Sequence, residues 1–276
     1  AAILFSDILT IPDSFGLGVE FIEKEGPVFK NPISNSTDII NLNHFDPESL
    51  DYVYKAVKNI KNSLSEEIPL IGFCGSPWTL AAYSIEGRSS KDFEKTLNFL
   101  VSNQKDVHDL LIKYTDACFL YLRKQVQSGA DVIQIFDSWA NLLTKENLIE
   151  FSFNYINYLI SALKLDPVTK NIPVIIFARN PKCNIEELIN TSADCISLFW
   201  SMNDLNFEVA KNKVAIQGNL DPKILLESDE TIKRETYKIL ERFKEYPGYI
   251  FNLGHGITPD ISPDKIKYLT NIVREY

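Results

Sequence analysis

The chain has 276 residues, of which 45% are hydrophobic and 24% are charged, so it can bury a large core. Its formal net charge of −9 argues against a nucleic-acid-binding surface, and any anionic ligand must therefore be bound by local basic groups. No apolar run reaches the roughly eighteen residues of a membrane span, and the first residues lack the pattern of a signal peptide.

The four cysteines indicate a reducing compartment. Cys74, Cys118, Cys183 and Cys195 lie within or beside apolar segments and show no Cys-x-x-Cys spacing. This distribution is typical of free thiols and disfavours both disulfides and a thiolate zinc site. We therefore expect a cytoplasmic protein.

Seven short apolar runs end in small or polar residues and predict seven strands. Each run is nearly continuous in hydrophobicity, as expected for strands of a parallel sheet that are covered on both faces. The runs are residues 3–7, 69–75, 131–138, 172–179, 195–201, 213–219 and 249–256.

Between most of these strands, apolar residues recur at helical spacing. The predicted helices cover residues 46–64, 93–129, 144–164, 184–190 and 227–246. Asp46 and Asp221 each precede a proline and are expected to cap helical turns, and Gly129 is expected to end its helix. Alternating strands and helices predict a (β/α)8 barrel, with a doubly wound open sheet as the alternative. A barrel needs eight strands, and the pattern supplies seven.

No linker rich in Pro, Ser or Gly divides the chain, so we expect one barrel domain over residues 1–276. Residues 16–43 show little periodicity and several turn residues. We expect this segment to be a long loop at one end of the barrel, where long loops are often functional.

The active site of a barrel is built at the carboxyl ends of its strands, so polar residues there are the first candidates. Asp7 is one of them, although its position also suits a helix N-cap or a turn residue. In the functional interpretation, Asp7 is a partly desolvated carboxylate that accepts hydrogen bonds from a ligand or balances its positive charge. The other candidates are Tyr83, Glu86, Asp137, Ser138, Trp139, Arg179, Asn219, Asp221 and His255.

Three of these candidates have both a structural and a functional interpretation. His255 lies between Gly254 and Gly256, which would let the backbone approach a ligand closely. Tyr83 is either a buried tyrosine packed on Trp78 or a phenol directed toward the strand ends. Ser138 is either a cap for the next turn or a ligand-binding hydroxyl. His44 is expected in a loop, and His108 is expected to be structural.

Several common chemistries have no motif in this sequence. Neither a P-loop nor Gly-x-Gly-x-x-Gly follows any predicted strand, so nucleotide binding is not indicated. A Gly-x-Ser-x-Gly elbow is absent, as are His-x-x-x-His and Cys/His clusters. A nucleophilic serine and a protein-built metal site are therefore both disfavoured.

Five stretches together resemble the uroporphyrinogen decarboxylase family, in the same order and at similar spacing. They are AAILFSDIL, GFCGSPWTLAAYSIEG, GADVIQIFDSWA, VAIQGNLDP and FNLGHGITPDISPDKI, which run from the first residues almost to the last. The resemblance implies a distorted (β/α)8 barrel, usually a homodimer, that uses no metal or organic cofactor. It also implies removal of carbon dioxide from the four acetate side chains of uroporphyrinogen III, to give coproporphyrinogen III.

The resemblance also implies residue roles. Asp7, in FSDIL, would accept hydrogen bonds from the pyrrole N–H groups of the substrate. Tyr83 would lie close to that aspartate and to the reacting acetate. Ser138 and His255 would contact substrate carboxylates or the groups that position them. Asp7 and Tyr83 are thus the expected catalytic residues, and all four are expected to bind substrate.

Two departures from the family pattern bear on this expectation. The family's Arg-Gln-Ala-Gly-Arg segment, which stands upstream of FSDIL, has no match here, although Arg88, Arg123, Arg179 and Lys182 are present. We expect an N-terminally truncated barrel that lacks its first strand, binds substrate poorly and turns over little. Asn180 stands where a glycine is usual, which predicts a local loop difference beside a retained Arg179.

Two alternative functions remain open at this point. One is a non-catalytic porphyrinogen-binding or scaffold protein of the same fold. The other is a corrinoid methyltransferase relative, a branch that binds zinc through a His-x-Cys pair and a later cysteine. No His-x-Cys pair occurs in this chain.

Overall fold

A computed structural model describes residues 1–4, 6–23, 26–203 and 205–276. Its main feature is a curled parallel sheet with helices alternating between the strands. The nine strands among the described residues are, in chain order, β1 (Ala2–Ile3), β2 (Val19–Ile22), β3 (Gly26–Phe29), β4 (Leu70–Gly75), β5 (Val132–Asp137), β6 (Val174–Ala178), β7 (Cys195–Ser197), β8 (Ala215–Leu220) and β9 (Tyr249–Leu253).

Seven of these strands form one sheet in the order β1-β4-β5-β6-β7-β8-β9, and every neighbouring pair is parallel. The seven strands predicted from the apolar runs are therefore confirmed. The arrangement is a distorted (β/α)-type barrel whose edge strands are β1 and β9. Because strand order follows chain order throughout the sheet, the doubly wound alternative is wrong.

The two edge strands differ from the prediction that all strands are covered on both faces. The strands β4 to β8 are almost entirely buried. By contrast, Ile3 of β1 is 49% exposed and Ile250 of β9 is 44% exposed. Each edge strand has a neighbour on one side only within the described residues, so part of its apolar surface faces solvent. The first strand is also shorter than predicted, and Phe5 of that run lies outside the described residues.

The helices connect successive strands. They are α1 (Thr10–Pro12), α2 (Ser36–Ile40), α3 (Asp51–Ser63), α4 (Pro77–Glu86), α5 (Glu94–Ser102), α6 (Gln104–Gln127), α7 (Lys145–Leu148), α8 (Asn154–Leu165), α9 (Ile185–Ile189), α10 (Asp229–Phe243) and α11 (Pro263–Glu275). Short 3₁₀ or π turns lie at Asp13–Leu17, Pro47–Leu50, Ala140–Leu142, Ile149–Phe153, Phe207–Val209 and Pro222–Leu226.

The predicted helix signals are confirmed by the backbone. Asp46 accepts a hydrogen bond from the Glu48 N–H at 2.9 Å, and Asp221 accepts one from the Lys223 N–H at 3.0 Å. Gly129 has a φ of 113°, a region that glycine enters without steric cost. The single helix predicted over residues 93–129 is wrong in one respect. The segment is interrupted at Asn103, whose φ of −138° is not helical, and therefore forms two helices, α5 and α6.

The loop expected over residues 16–43 is also wrong in part. The strands β2 and β3 form an antiparallel hairpin, and α2 follows it. Asn35 caps α2 by accepting hydrogen bonds from the N–H groups of Thr37 and Asp38, and the Asp38 carboxylate accepts one from the Asn35 N–H at 3.2 Å. The hairpin alternates too briefly, over four residues per strand, to show a clear period in the sequence.

Two expectations from the sequence concern the state of the cysteines and the presence of membrane-spanning segments. All four cysteines carry free thiols, and those of Cys74, Cys118 and Cys195 are buried. Among the described residues, no helix is both long and apolar enough to cross a membrane.

Candidate active site

Asp7 lies beyond the carboxyl end of β1, in the turn that leads to α1. One carboxylate oxygen accepts a hydrogen bond from the Leu9 N–H at 2.8 Å, so Asp7 stabilises the turn before α1. The helix-cap interpretation is wrong, because Leu9 is the N-cap of α1 and no side chain caps this helix. The other carboxylate oxygen of Asp7 accepts no hydrogen bond from any described residue. The side chain is half-buried and lines two cavities. The turn-forming and ligand-binding interpretations are therefore compatible, because each uses a different oxygen.

Asp137, at the end of β5, shows the opposite arrangement. Its carboxylate is buried and accepts hydrogen bonds from the hydroxyls of Ser76 at 2.8 Å, Thr79 at 3.0 Å and Ser152 at 2.6 Å. Burial raises the pKa of Asp137, although the three hydroxyl donors oppose that rise. Because Ser76 caps α4, this network attaches the start of α4 to the end of β5.

Tyr83 lies on the same helix α4, about two turns after this attachment point. Its ring contacts Phe93 at 5.8 Å and Trp139 at 5.7 Å between centroids, rather than Trp78 as one interpretation expected. Burial is the largest cause of a raised Tyr83 pKa. The Asp7 carboxylate raises it further, whereas the side chains of Trp139 and Arg179 act to lower it. Tyr83 therefore lies within electrostatic reach of both Asp7 and Arg179.

Ser138 follows Asp137 directly and is half-buried. The next helical turn begins at Ala140 without a side-chain cap, so the capping interpretation of Ser138 is wrong. Within the described part of the chain, the Ser138 hydroxyl makes no hydrogen bond. It lines the cavity that Asp7 and Tyr83 also line, and its hydroxyl is available to a ligand.

His255 follows β9 and is exposed. Its ring packs edge-on against Phe199 at 5.9 Å and Phe177 at 6.4 Å between centroids. The expected role of the flanking glycines is wrong for Gly254. A Cβ there would lie 2.4 Å from the backbone nitrogen of Trp200, so Gly254 permits close chain packing, not close approach of a ligand. Gly256 has open space around it.

The four expected site residues line two adjoining cavities. Asp7, Tyr83 and Ser138 line one cavity of about 440 Å³. Ser138 and His255 line a second cavity of about 590 Å³. The two cavities share Ile3, Phe136 and Ser138 in their walls. Both volumes lie in the range of small-molecule sites, which are mostly apolar with a few placed polar groups.

The apolar part of this site was not predicted. Phe136 packs edge-on against Phe73 at 5.6 Å and against Phe177 at 6.0 Å between centroids. Each of the three rings lines one or both of the cavities. These phenylalanines appear in the sequence only as parts of apolar strands, and nothing in that pattern distinguishes a ring at the mouth from a ring in the core.

Asn180 begins the turn after β6 with a φ of 42°. This left-handed conformation favours glycine, and asparagine is among the residues that adopt it most readily. The Ser201 hydroxyl donates a hydrogen bond to the Asn180 side-chain oxygen at 3.1 Å. The asparagine is therefore compatible with a backbone shape that glycine also takes.

Other candidates from the sequence have structural contacts. The buried Glu86 carboxylate accepts hydrogen bonds from the backbone N–H and the hydroxyl of Thr96, both at 3.1 Å. The buried amide of Asn219 donates to the Phe199 carbonyl at 3.2 Å. His108 on α6 forms a hydrogen bond with the Tyr155 hydroxyl at 2.7 Å.

Neither Arg123 nor His44 lines the two site cavities. Arg123 is not a free surface arginine, because its guanidinium donates to the Asp166 carboxylate at 3.0 Å. His44 is exposed in a loop, as expected. Among the described residues, no group of three or more His, Cys, Asp or Glu side chains is arranged to bind a metal ion.

Comparison with solved structures shows the fold. A methyltransferase from Methanosarcina mazei matches 100% of this chain and 80% of its own, with a TM-score of 0.74 and 18% identity. A B12-independent methionine synthase from Shewanella sp. W3-18-1 matches 93% of this chain and 74% of its own, with a TM-score of 0.56 and 14% identity. At these identities the likeness extends to the fold alone.

Comparison with sequences is more specific. Uroporphyrinogen decarboxylase of Vesicomyosocius okutanii is 45% identical over 100% of this chain and 79% of the relative. Those of Ruthia magnifica and Pseudoalteromonas atlantica are each 43% identical over 100% of this chain, and over 80% and 78% of the relative. The sequence model of the family "Uroporphyrinogen decarboxylase (URO-D)" matches residues 1–276. The chain therefore belongs to the uroporphyrinogen decarboxylase family.

Proposed function

We propose that this protein decarboxylates the acetate side chains of uroporphyrinogen III to give coproporphyrinogen III. The observation that carries the proposal is the meeting of Asp7, Tyr83 and Ser138 at one cavity, which adjoins that of His255. These four residues come from four separate segments of the chain, in a family whose relatives are named for this reaction.

The chemistry of the reaction explains what Asp7 would do. When an acetate loses carbon dioxide, its C–C bond breaks and the electron pair must move into the ring. A pyrrole that has been protonated on carbon can accept that pair, and it is cationic until it does so. The exocyclic methylene that results takes up a proton to become the methyl group, and the ring carbon then releases the proton it had gained, so one proton is consumed for each carbon dioxide lost. A fixed carboxylate beside the ring stabilises the pyrrole cation more than it stabilises the neutral ground state. The carboxylate oxygen of Asp7 that accepts no hydrogen bond from the described residues suits this role.

The surrounding groups suit the rest of the substrate. The edge-on phenylalanine rings offer an apolar wall for a tetrapyrrole, whose pyrrole faces are large and weakly hydrated. The Tyr83 hydroxyl can donate a hydrogen bond to a carboxylate at neutral pH, since the ordinary tyrosine pKa of about 10 already keeps it protonated and burial raises its pKa further. Ser138 and His255 lie where they can contact the peripheral carboxylates.

We also propose a compartment, an oligomeric state and a cofactor requirement for this protein. The protein acts in the cytoplasm as a homodimer and as a single barrel domain over residues 1–276. It uses no metal or organic cofactor, because the protonated pyrrole itself serves as the electron sink. Family membership and the free thiols of the four cysteines support this context.

The test is anaerobic turnover of uroporphyrinogen by the purified protein and by Asp7→Asn. Asparagine retains the shape and one acceptor oxygen but removes the charge, so we expect kcat to fall about 100-fold, or roughly 3 kcal/mol of transition-state stabilisation. Asp116→Asn, an exposed position on α6, is the matched control and should leave kcat unchanged.

Two results would contradict the proposal at different points. Near-normal kcat in Asp7→Asn would remove Asp7 from its catalytic role while leaving the activity in place. Tight tetrapyrrole binding without carbon dioxide release by the unaltered protein would favour the non-catalytic, porphyrinogen-binding alternative instead.

A further inference from the structure

Arg179 is the first residue after β6, at the same edge of the sheet as the expected site. Its backbone N–H donates to the Asp137 carbonyl at 3.0 Å, which fixes the start of its side chain beside the end of β5. Its guanidinium lies over the Trp139 ring, 5.4 Å from the centroid. Arg179 lines neither of the two site cavities, but this ring also packs on Tyr83, which lines one of them, and the guanidinium is close enough to act on the pKa of Tyr83.

The charge of Arg179 is not neutralised within the described chain. No carboxylate of those residues lies within 4.0 Å of its guanidinium, whereas Arg123 is paired with Asp166 and Lys61 with Asp131 at 2.7 Å. The chain carries 37 acidic and 28 basic residues, so an arginine that faces no carboxylate contrasts with the overall balance. A half-buried guanidinium on an indole is preorganised to bind an anion in a bidentate manner.

A second polar group lies in the same cluster. The indole N–H of Trp139 is buried and meets the full geometry of a hydrogen bond with no described residue, but it lies close enough to the Tyr83 hydroxyl to act against the rise in the pKa of Tyr83. The Trp139 backbone carbonyl accepts a hydrogen bond from the buried Trp78 indole at 3.0 Å, which fixes the position of the residue. The guanidinium of Arg179 thus offers donors beside Tyr83 that no carboxylate of the described residues accepts, while the Trp139 N–H interacts with the Tyr83 hydroxyl.

We propose that Arg179 binds a carboxylate of the substrate that does not react. This inference rests on the proposed function and assigns a specificity-determining residue to it. A guanidinium paired with the reacting carboxylate would stabilise the ground state and oppose loss of carbon dioxide, since that group loses its negative charge in the transition state. Paired with a carboxylate that stays, the same contact stabilises ground state and transition state equally.

The test compares Arg179→Gln and Arg179→Lys with the unaltered protein in uroporphyrinogen turnover. We expect Arg179→Gln to raise KM about 10- to 100-fold with kcat changed less than about threefold, as for loss of uniform binding. Lysine keeps the charge but not the bidentate geometry, so Arg179→Lys should raise KM by an intermediate factor. Arg274→Gln, at an exposed position on α11, is the matched control and should leave KM unchanged.

A second readout separates this inference from the proposed function. Equilibrium binding of uroporphyrin, the oxidised and unreactive tetrapyrrole with the same carboxylates, is measured for the same variants by quenching of tryptophan fluorescence. Weaker binding by Arg179→Gln, with Arg179→Lys between, supports the inference even where no turnover is detected. Equal KM and equal uroporphyrin affinity in all variants overturns it, as does a fall in kcat at unchanged KM.

Discussion

Two aspartates follow strands of the same sheet, yet their surroundings differ in every respect that matters to function. Asp137, at the end of β5, is 1% exposed, and both its oxygens accept hydrogen bonds from hydroxyls. Asp7, after β1, is half-buried, and one of its oxygens accepts a bond from the Leu9 N–H. The first carboxylate is saturated by the protein, and the second is left partly free.

This difference teaches how to distinguish structural from functional carboxylates at strand ends. Position alone selects both residues, because both lie at the carboxyl edge of a parallel sheet. The hydrogen-bonding capacity that the protein leaves unused selects Asp7. By the same criterion, Asp137 connects β5, α4 and the Ile149–Phe153 turn and is a positioning residue at most.

The largest effect is expected from removing the saturated carboxylate. Asp137→Ala leaves the hydroxyls of Ser76, Thr79 and Ser152 without their acceptor and creates a buried cavity, which should lower the free energy of unfolding by about 3 kcal/mol. Urea denaturation followed by circular dichroism measures this. Asp116→Ala, an exposed control on α6, should change stability little. A loss below about 1 kcal/mol for Asp137→Ala would remove the structural distinction between the two aspartates.

A smaller effect is expected from the pH dependence of the same group. Burial raises the pKa of Asp137 in the folded state, so that state binds the proton more tightly than the unfolded chain does. Its contribution to the unfolding free energy is complete below the unfolded pKa of about 3.9 and is lost as pH rises through the folded pKa. The stability of the unaltered protein relative to Asp137→Asn should therefore decrease as pH rises above about 4. An increase with pH would show that the hydroxyls stabilise the charged form.

The smallest effect is expected from the stability role of Asp7. Asp7→Ala removes the acceptor of the Leu9 N–H in the turn before α1 and should lower the free energy of unfolding by about 1 kcal/mol, whereas Asp7→Asn retains an acceptor and should cost less. Denaturation of both variants beside Asp137→Ala provides the comparison. A loss as large as that of Asp137→Ala would mean that Asp7 is chiefly structural.

The sheet was largely predictable, because inner strands of a parallel sheet must be apolar on both faces and so leave a clear pattern. The prediction failed where local chemistry decided the outcome. The break at Asn103 carries no proline or glycine, and the hairpin β2–β3 is too short to show a period. The exposure of β1 and β9 depends on which neighbours each strand has, and the local sequence does not encode this.

The site was predictable in its residues but not in its contacts. Asp7, Tyr83, Ser138 and His255 follow from motifs, and the structure brings them to adjoining cavities. Their catalytic and binding roles stay predictions. Asp137 accepts three hydrogen bonds, and the donors of two of them, Ser76 and Thr79, lie more than fifty positions away in the sequence. No local sequence pattern predicts contacts at that separation.

The two glycines around His255 are unequal in a way that matters for sequence variation. Any side chain at position 254 would collide with the Trp200 backbone and move the histidine away from its cavity, while position 256 opens onto free space. Amino-acid substitution in the NLGHG segment is therefore constrained at position 254 but not at position 256. A library randomised at both positions would return glycine at the first and many residues at the second.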